Sequence, residues 1–399
     1  MSMSAVEWKP LKEIVESIST GLNPRQNFVL NDDNASLYYV TVKEISSNKI
    51  IFSENTDKIS REAKNIINKR SKLELGDILF SGIGTIGKVV YVDIPTSNWD
   101  CSESVFLLKP SDNVVSGKYL TYILLSDIAK KQYEIGANGS IMKGVRKNTL
   151  ENILIPIPTL AKQQEIVSHL DTFTTLISNL ESELDMRRKQ YEHYRNQLLD
   201  FEGVEDVECK TLGEVGEFVR GNGIQKKDFV EDGYGCIHYG QVYTQFDLLA
   251  YETLTGIEKA LFDKCRKAKC GDIVLATTSE NLEDVAKPVI WLGEEEIAVS
   301  GDAFIYKHNQ NPIFIGSQFL TERFSKFKGM NAKGAKVIRI TGDSMAEYKI
   351  ALPSLEKQNE IAEGIKSFEN LIQSLEQEIK LRKQQYEYYR EKLLTFEKQ

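Results

Sequence analysis

The sequence predicts an α+β protein in which two mixed α/β heads alternate with two long helices that pair as an antiparallel coiled coil, a pseudo-twofold tandem repeat. Three observations predict it. The chain overlies itself at an offset of 195 residues, the distance from Ile155 to Ile350. The overlapping segments carry a heptad seam, and the segments between them carry short strand-like runs bounded by turn residues.

The repeat is plainest at the helices. IPIPTLAKQQEIVSHLDTFTTLISNLESELDMRRKQYEHYRNQLLDFE, from Ile155 to Glu202, lies without a gap over IALPSLEKQNEIAEGIKSFENLIQSLEQEIKLRKQQYEYYREKLLTFE, from Ile350 to Glu397, with close to half the positions identical. Upstream the copies have diverged: KPLKEIV resembles KTLGEVG, and LELGDILF resembles AKCGDIVL. The expected order is a head over 1–154, a helix over 155–203, a head over 204–349 and a helix over 350–399. Divergent heads on matched helices imply that what the heads touch differs while the helices satisfy one geometry.

The seam of the first helix runs Ile166, Leu170, Phe173, Ile177, Leu180, Leu184, Arg187, Tyr191, Tyr194, Leu198, Phe201. That of the second runs Ile361, Ile365, Phe368, Ile372, Leu375, Ile379, Arg382, Tyr386, Tyr389, Leu393, Phe396. Steps of four and three give a period of 3.5, so each helix needs a partner helix. About 40 residues at 1.5 Å each make a rod of about 60 Å, and two such rods in one chain satisfy each other. Because a head lies between them, antiparallel pairing fits the connection. Arg187 and Arg382 occupy the same seam position, where a charge either fixes register or snorkels outward.

The heads show LYYVTV, DILF, KVVYVD and SVFLLK in the first copy and DIVLA, PVIWLG and AFIYKH in the second, with helical stretches between, so an antiparallel or mixed sheet is expected. Gly82, Gly84 and Gly87 spell G-x-G-x-x-G after a strand-like run. A dinucleotide site needs a helix at the last glycine, whereas KVVYVD is β-branched, so the run predicts a hairpin. No V-A-I-K, H-R-D or D-F-G follows to make it a kinase loop. The glycines instead admit close backbone approach, with Ser81, Thr85 and Lys88 offering donors to phosphate or base edges.

Composition bounds the function. A chain of 399 residues accommodates two or more domains, and no apolar run reaches the roughly 18 residues that span a bilayer. Without a signal-peptide pattern at its start, a cytoplasmic protein with reduced thiols is expected from its five scattered cysteines. The net charge of −8 argues against free-standing DNA binding, although Lys326 to Arg339 carries five basic residues and no acidic one, and Lys264, Arg266, Lys267 and Lys269 form another basic group. Cys236, His238, Cys265 and Cys270 have the wrong spacing for a zinc knuckle, so no metal is expected. Asn311-Pro312-Ile313-Phe314 is similar to the N-P-P-F motif of adenine methyltransferases but lacks its second proline and any glycine-rich cofactor motif.

NGSIMKGVRKNTLENILIPIPTLAKQQEIV, the GDILFSGIGTIGKVVYVD hairpin and the twice-used P-x-L-x-K-Q-x-E-I start of a helix ending in Tyr-Glu-x-Tyr-Arg resemble the specificity subunits of type I restriction-modification systems. The resemblance covers nearly the whole chain. It implies a non-catalytic subunit without cofactors, in which each head is a target-recognition domain reading one half of a split double-stranded DNA sequence. It further implies that the helices space the half-sites, that two adenine methyltransferase subunits dock on the scaffold, and that restriction subunits join them. Carried over by position, the DNA-facing residues are Ser81, Gly82, Thr85 and Lys88 in the first head and Thr277, Thr278, Ser279 and Asn281 in the second. Lys143 and Arg146, and Lys333, Lys336 and Arg339, are added near the end of each head. In the second head ATTSENLEDVAKPV replaces FSGIGTIGKVV, which blurs the loop boundaries. A coiled-coil adaptor whose heads bind proteins is the alternative.

Overall fold

A computed structural model describes residues 6–46, 48–135, 144–201 and 207–396. The chain divides into two units, one of residues 1–179 with 379–399 and the other of residues 180–378. Each unit holds one head and a portion of each long helix, Leu160–Leu198 and Leu355–Leu394. Among the described residues no helix is long and apolar enough to cross a membrane.

In the first unit a four-stranded antiparallel sheet runs in the order Val15–Thr20, Val105–Pro110, Ile78–Ser81, Val89–Tyr91. The G-x-G-x-x-G run is thus the turn of a hairpin. A three-stranded mixed sheet places Leu37–Val40 between Lys58–Ile59 and the parallel strand Trp99–Cys101. The N-terminal strand Glu7–Pro10 pairs antiparallel with Leu154–Ile157, which leads directly into the first long helix. Helices Gly117–Leu125 and Asp127–Ile135 cover the four-stranded sheet, and Tyr119, Leu120 and Ile123 join Ile78, Phe80, Ile166 and Leu170 in one core.

The second unit repeats this plan with longer sheets. Its first sheet has the order Gly216–Arg220, Ala303–His308, Ile273–Ala276, Pro288–Trp291, Leu249–Ala250, with the last strand parallel. Its second is a five-stranded mixed sheet centred on Tyr234–Ile237. Glu208–Thr211 pairs with Lys349–Leu352 ahead of the second long helix, as Glu7–Pro10 does ahead of the first.

The shared G-D-I motif has a structural use in both copies. Gly76 and Gly271 adopt φ of +90° and +91°, a left-handed turn that favours glycine. The following aspartates accept the Glu74 and Lys269 backbone N–H at 2.7 and 2.8 Å. Each is also paired with a lysine of the neighbouring strand, Asp77 with Lys109 at 3.2 Å and Asp272 with Lys307 at 2.6 Å.

In each unit the two long helices run antiparallel. Phe173 stacks on Tyr389 in the first unit, with ring centroids 5.4 Å apart, and Tyr191 and Tyr194 stack on Phe368 in the second, at 5.9 and 5.7 Å. Ile166, Leu170 and Ile177 are buried on the first helix and Ile361, Ile365, Ile372, Leu375 and Ile379 on the second, while Phe173, Leu180, Leu184 and Phe368 are half-buried. Near the end of the first helix the buried stripe drifts. Tyr194 and Leu198 are exposed, whereas Arg195 and Leu199 are buried, because there the helix packs on the head: Leu199 joins the core of Phe314, and Arg195 donates to Leu320 O at 2.7 Å. Arg187 is half-buried and reaches along its own helix to Glu183 at 3.4 Å and Gln190 at 3.0 Å, the snorkelling arrangement.

Candidate nucleic-acid interface

The hairpin turn of the first head is built by its own side chains. The Ser81 hydroxyl, wholly buried, donates to Thr85 O at 2.7 Å and accepts from Lys88 N–H at 2.8 Å. The Lys88 ammonium donates to Val42 O and Ile45 O at 2.9 and 2.6 Å, which ties the turn to the loop after Leu37–Val40. Both residues were expected to face a ligand, and both are instead engaged inside the head. Close approach by the glycines is also internal: a Cβ on Gly82 would lie 2.3 Å from the Phe106 ring, and one on Gly87 2.4 Å from the Tyr133 hydroxyl. Gly84, with φ of +82° and open space around it, lies at the exposed tip with Ile83 and Thr85 on either side.

The second head treats its loop similarly. Thr277, Thr278 and Ser279 are buried, and Thr277 donates from both N–H and Oγ1 to Asp302 O at 3.0 Å. Asn281 is exposed and closes a turn with Asp284, donating from Nδ2 to Oδ2 at 2.8 Å.

Two sets of candidates distant in sequence meet in each head. Ile83, beside Gly82, forms an antiparallel bridge with Gly144, two residues before Arg146. At the 195-residue offset, Thr278 pairs with Arg339 in the same antiparallel sense. Arg146, Lys333, Lys336 and Arg339 are all exposed, and Lys143 lies outside the described residues. The Arg339 backbone is fixed from its other side too, by reciprocal hydrogen bonds of 2.8 Å with Lys333. Of the basic run that follows Lys326, Lys328 drops out, because its buried ammonium donates to Glu283 O and Val285 O and burial pulls its pKa down.

In the second head this meeting point opens on a cleft of about 540 Å³ lined by Arg220, Thr277, Thr278, Asp302, Arg339 and Asp343, among others. Arg220 donates to Gly301 O at 2.8 Å and lies 3.7 Å from Asp302. The corresponding rim of the first head differs in residue type and takes a charge from another segment, Arg70 donating to Thr20 Oγ1 at 3.1 Å. Thr20, the last residue of its strand and opposite Phe106, stands where Arg220 stands opposite Phe304, and Ile83 and Gly144 stand where Thr278 and Arg339 do. Arg220 carries no sequence signal, being a single arginine at a strand end.

The N-P-I-F run is a helix cap. The Asn311 side chain accepts from Ile313 N–H and Phe314 N–H at 2.9 and 3.0 Å, and Phe314 is wholly buried. His238 caps a helix through Nδ1, and Cys236 lies against Thr255, so both have local partners.

The matched duplication, the two heads and the antiparallel helices define a bipartite scaffold of one family. The chain belongs to the family described as the type I restriction modification DNA specificity domain, whose model matches residues 3–186 and 204–381. It is similar to the Escherichia coli type I restriction enzyme EcoR124I/EcoR124II specificity subunit, with 27% identity over 98% of this chain and 95% of that one. It is also similar to the Methanocaldococcus jannaschii type I restriction enzyme MjaVIII specificity subunit, with 26% identity over 85% and 82%. Among solved structures, the S subunit of the type I restriction-modification system from M. genitalium shares the fold at a TM-score of 0.57 and 14% identity, covering 100% of this chain and 99% of that one. A chain from a study of complex assembly and conformational transition in the type I R-M system does so at 0.60 and 16%, covering 98% and 97%.

Proposed function

We propose that this chain is the DNA sequence-specificity subunit of a type I restriction-modification complex, each head reading one half of a bipartite target. The observation that supports this reading most strongly is the paired meeting point. One bridge recurs at one offset in both heads, Ile83 with Gly144 and Thr278 with Arg339, on frames that match and rims that do not. In this reading residues 1–154 and 204–349 are the target-recognition domains, and 155–203 and 350–399 the spacer that sets the gap between half-sites. The exposed residues Thr85, Arg146, Asn281, Lys333, Lys336 and Arg339 face DNA, the cations holding phosphate or a guanine edge. Ser81, Gly82, Lys88, Thr277, Thr278 and Ser279 shape the loops that present them.

The subunit is non-catalytic and takes its chemistry from two adenine methyltransferase subunits docked on it, with restriction subunits joining the assembly. With a net charge of −8, the isolated chain binds DNA weakly and gains affinity in the complex. Mapping methylated adenines in a host with and without this gene, its methyltransferase partner present in both, tests the reading. An asymmetric split motif that disappears with the gene is expected. Methylation independent of the gene, or at an undivided motif, overturns it.

A further inference from the structure

Each long helix begins with a wholly buried glutamine whose amide is shared between the head and the helix's own lead-in. Gln163 Oε1 accepts the Ser116 N–H at 2.8 Å, and its Nε2 donates to Val114 O and Pro158 O at 3.1 and 3.0 Å. Its counterpart at the 195-residue offset, Gln358, accepts the Asn311 N–H at 3.1 Å and donates to Gln310 Oε1 and Pro353 O at 3.0 and 2.9 Å. Ser116 and Asn311 are themselves 195 apart, and each precedes the first residue of a head helix, Gly117–Leu125 or Pro312–Gln318.

A second fastening recurs at the same offset. The backbone N–H of Asp127, which opens the next head helix of the first unit, donates to Glu391 near the end of the second long helix at 3.1 Å. In the second unit the N–H of Glu322 donates to Asn196, near the end of the first long helix, also at 3.1 Å. Two polar ties to each head therefore recur, one from the start of the long helix it leads into and one from the end of the other.

The rest of the contact between head and helix combines apolar packing, as where Tyr119, Leu120 and Ile123 meet Ile166 and Leu170, with less buried polar ties, Asp171 to Lys118 and Tyr122 at 2.6 Å in the first unit and Arg195 to Leu320 O at 2.7 Å in the second. Apolar burial is non-directional and tolerates a small tilt. An amide with three satisfied hydrogen bonds in a water-excluded site does not, since a tilt leaves buried polar groups unpaired. We propose that Gln163 and Gln358 are positioning residues for target selection: by fixing the angle of each head on its helix, they make the subunit discriminate the length of the gap between half-sites. This rests on the bipartite-reader function proposed above.

The test uses the full chain in complex with its methyltransferase subunits and duplexes carrying the mapped target with its native gap or a gap one base pair longer or shorter. Gln358→Met keeps the side-chain length and removes the amide. The ratio of methylation rates on native-gap and shifted-gap duplexes is expected to fall about tenfold, a factor small in free energy, while discrimination against a base change inside either half-site persists. A lowered melting temperature with an unchanged ratio overturns the proposal, because a purely stabilising glutamine affects all duplexes alike. Should Gln358→Met fail to fold, Asn196→Ala and Glu391→Ala loosen the second fastening at half-buried positions. A smaller fall in the same ratio is expected of them, and no fall in either overturns the proposal. Wild-type complex that ignores gap length would instead count against the bipartite reading itself.

Discussion

The two heads agree in their frames and differ at their rims. In both, a left-handed glycine presents a buried aspartate to a strand lysine, Asp77 to Lys109 and Asp272 to Lys307. In both, a buried glutamine holds the start of a head helix, and a turn residue bridges a segment near the end of the head. At that bridge the first head shows Thr20, Ile83 and Gly144, and the second shows Arg220, Thr278 and Arg339 around a charged cleft. A duplicated chain that keeps buried hydrogen bonds and exchanges rim chemistry has a common scaffold with two different rims, which the proposed function assigns to two different half-sites.

If the frames are equivalent, equivalent substitutions cost alike. Ile166→Ala and Ile361→Ala, both at buried positions 195 residues apart, are each expected to lower stability by about 2–5 kcal/mol, as large-to-small core changes do. Chemical denaturation followed by circular dichroism reads this, and a large cost at one site with none at the other breaks the equivalence.

Acid should separate the heads. Burial pulls His308 down to about 4, Asp272 opposing it only in part, and His308 Nδ1 accepts the Gln310 N–H at 3.1 Å. A folded pKa below the unfolded value near 6.5 means that stability is full above pH 6.5 and is lost as pH falls toward 4. At ~1.4 kcal/mol per unit the loss is roughly 3 kcal/mol. The melting temperature of His308→Gln is expected to fall less steeply than wild type over that window. Identical slopes would remove His308 from the account.

The rim prediction is smaller and local. Arg339→Ala is expected to cost about 1–3 kcal/mol if the guanidinium reads a base, relaxing one position of one half-site, or to weaken every sequence alike and flatten the salt dependence if it holds phosphate. Binding of the complex to a panel of duplexes at several salt concentrations distinguishes the two, and no change in either would take Arg339 off the DNA. Least of all, Lys189→Ala removes an exposed, solvent-screened pair with Asp185 and should leave the denaturation midpoint unmoved. A shift would mean that this helix face is not simply solvated.

Much of this architecture was legible in the sequence because periodicity and repetition are long-range signals: the seam from Ile166 to Leu184, its copy from Ile361 to Ile379, and the β-branched run after Gly87 that made a hairpin rather than a nucleotide loop. The drift of the stripe from Leu198 to Leu199 was not, because it follows from packing against a head rather than from the heptad. At the site, residue type misled where tertiary contacts consumed the polar groups. Lys88 and Ser81 look like ligand donors in the sequence, yet backbone atoms take up their hydrogen-bonding capacity. Arg220 reaches the cleft only through sheet pairing, which no local motif encodes. Gln163 and Gln358 sit inside the twice-used P-x-L-x-K-Q run, and their identity in both copies was the available clue to a shared structural task.

The most direct test of one scaffold carrying two independent readers is a chain in which a second copy of residues 204–349 replaces residues 1–154. Assembled with the methyltransferase subunits and assayed by genome-wide mapping of methylated adenines, it should modify a palindrome built from the half-site that the second head reads. An unchanged asymmetric target, or a motif containing neither original half, would contradict it.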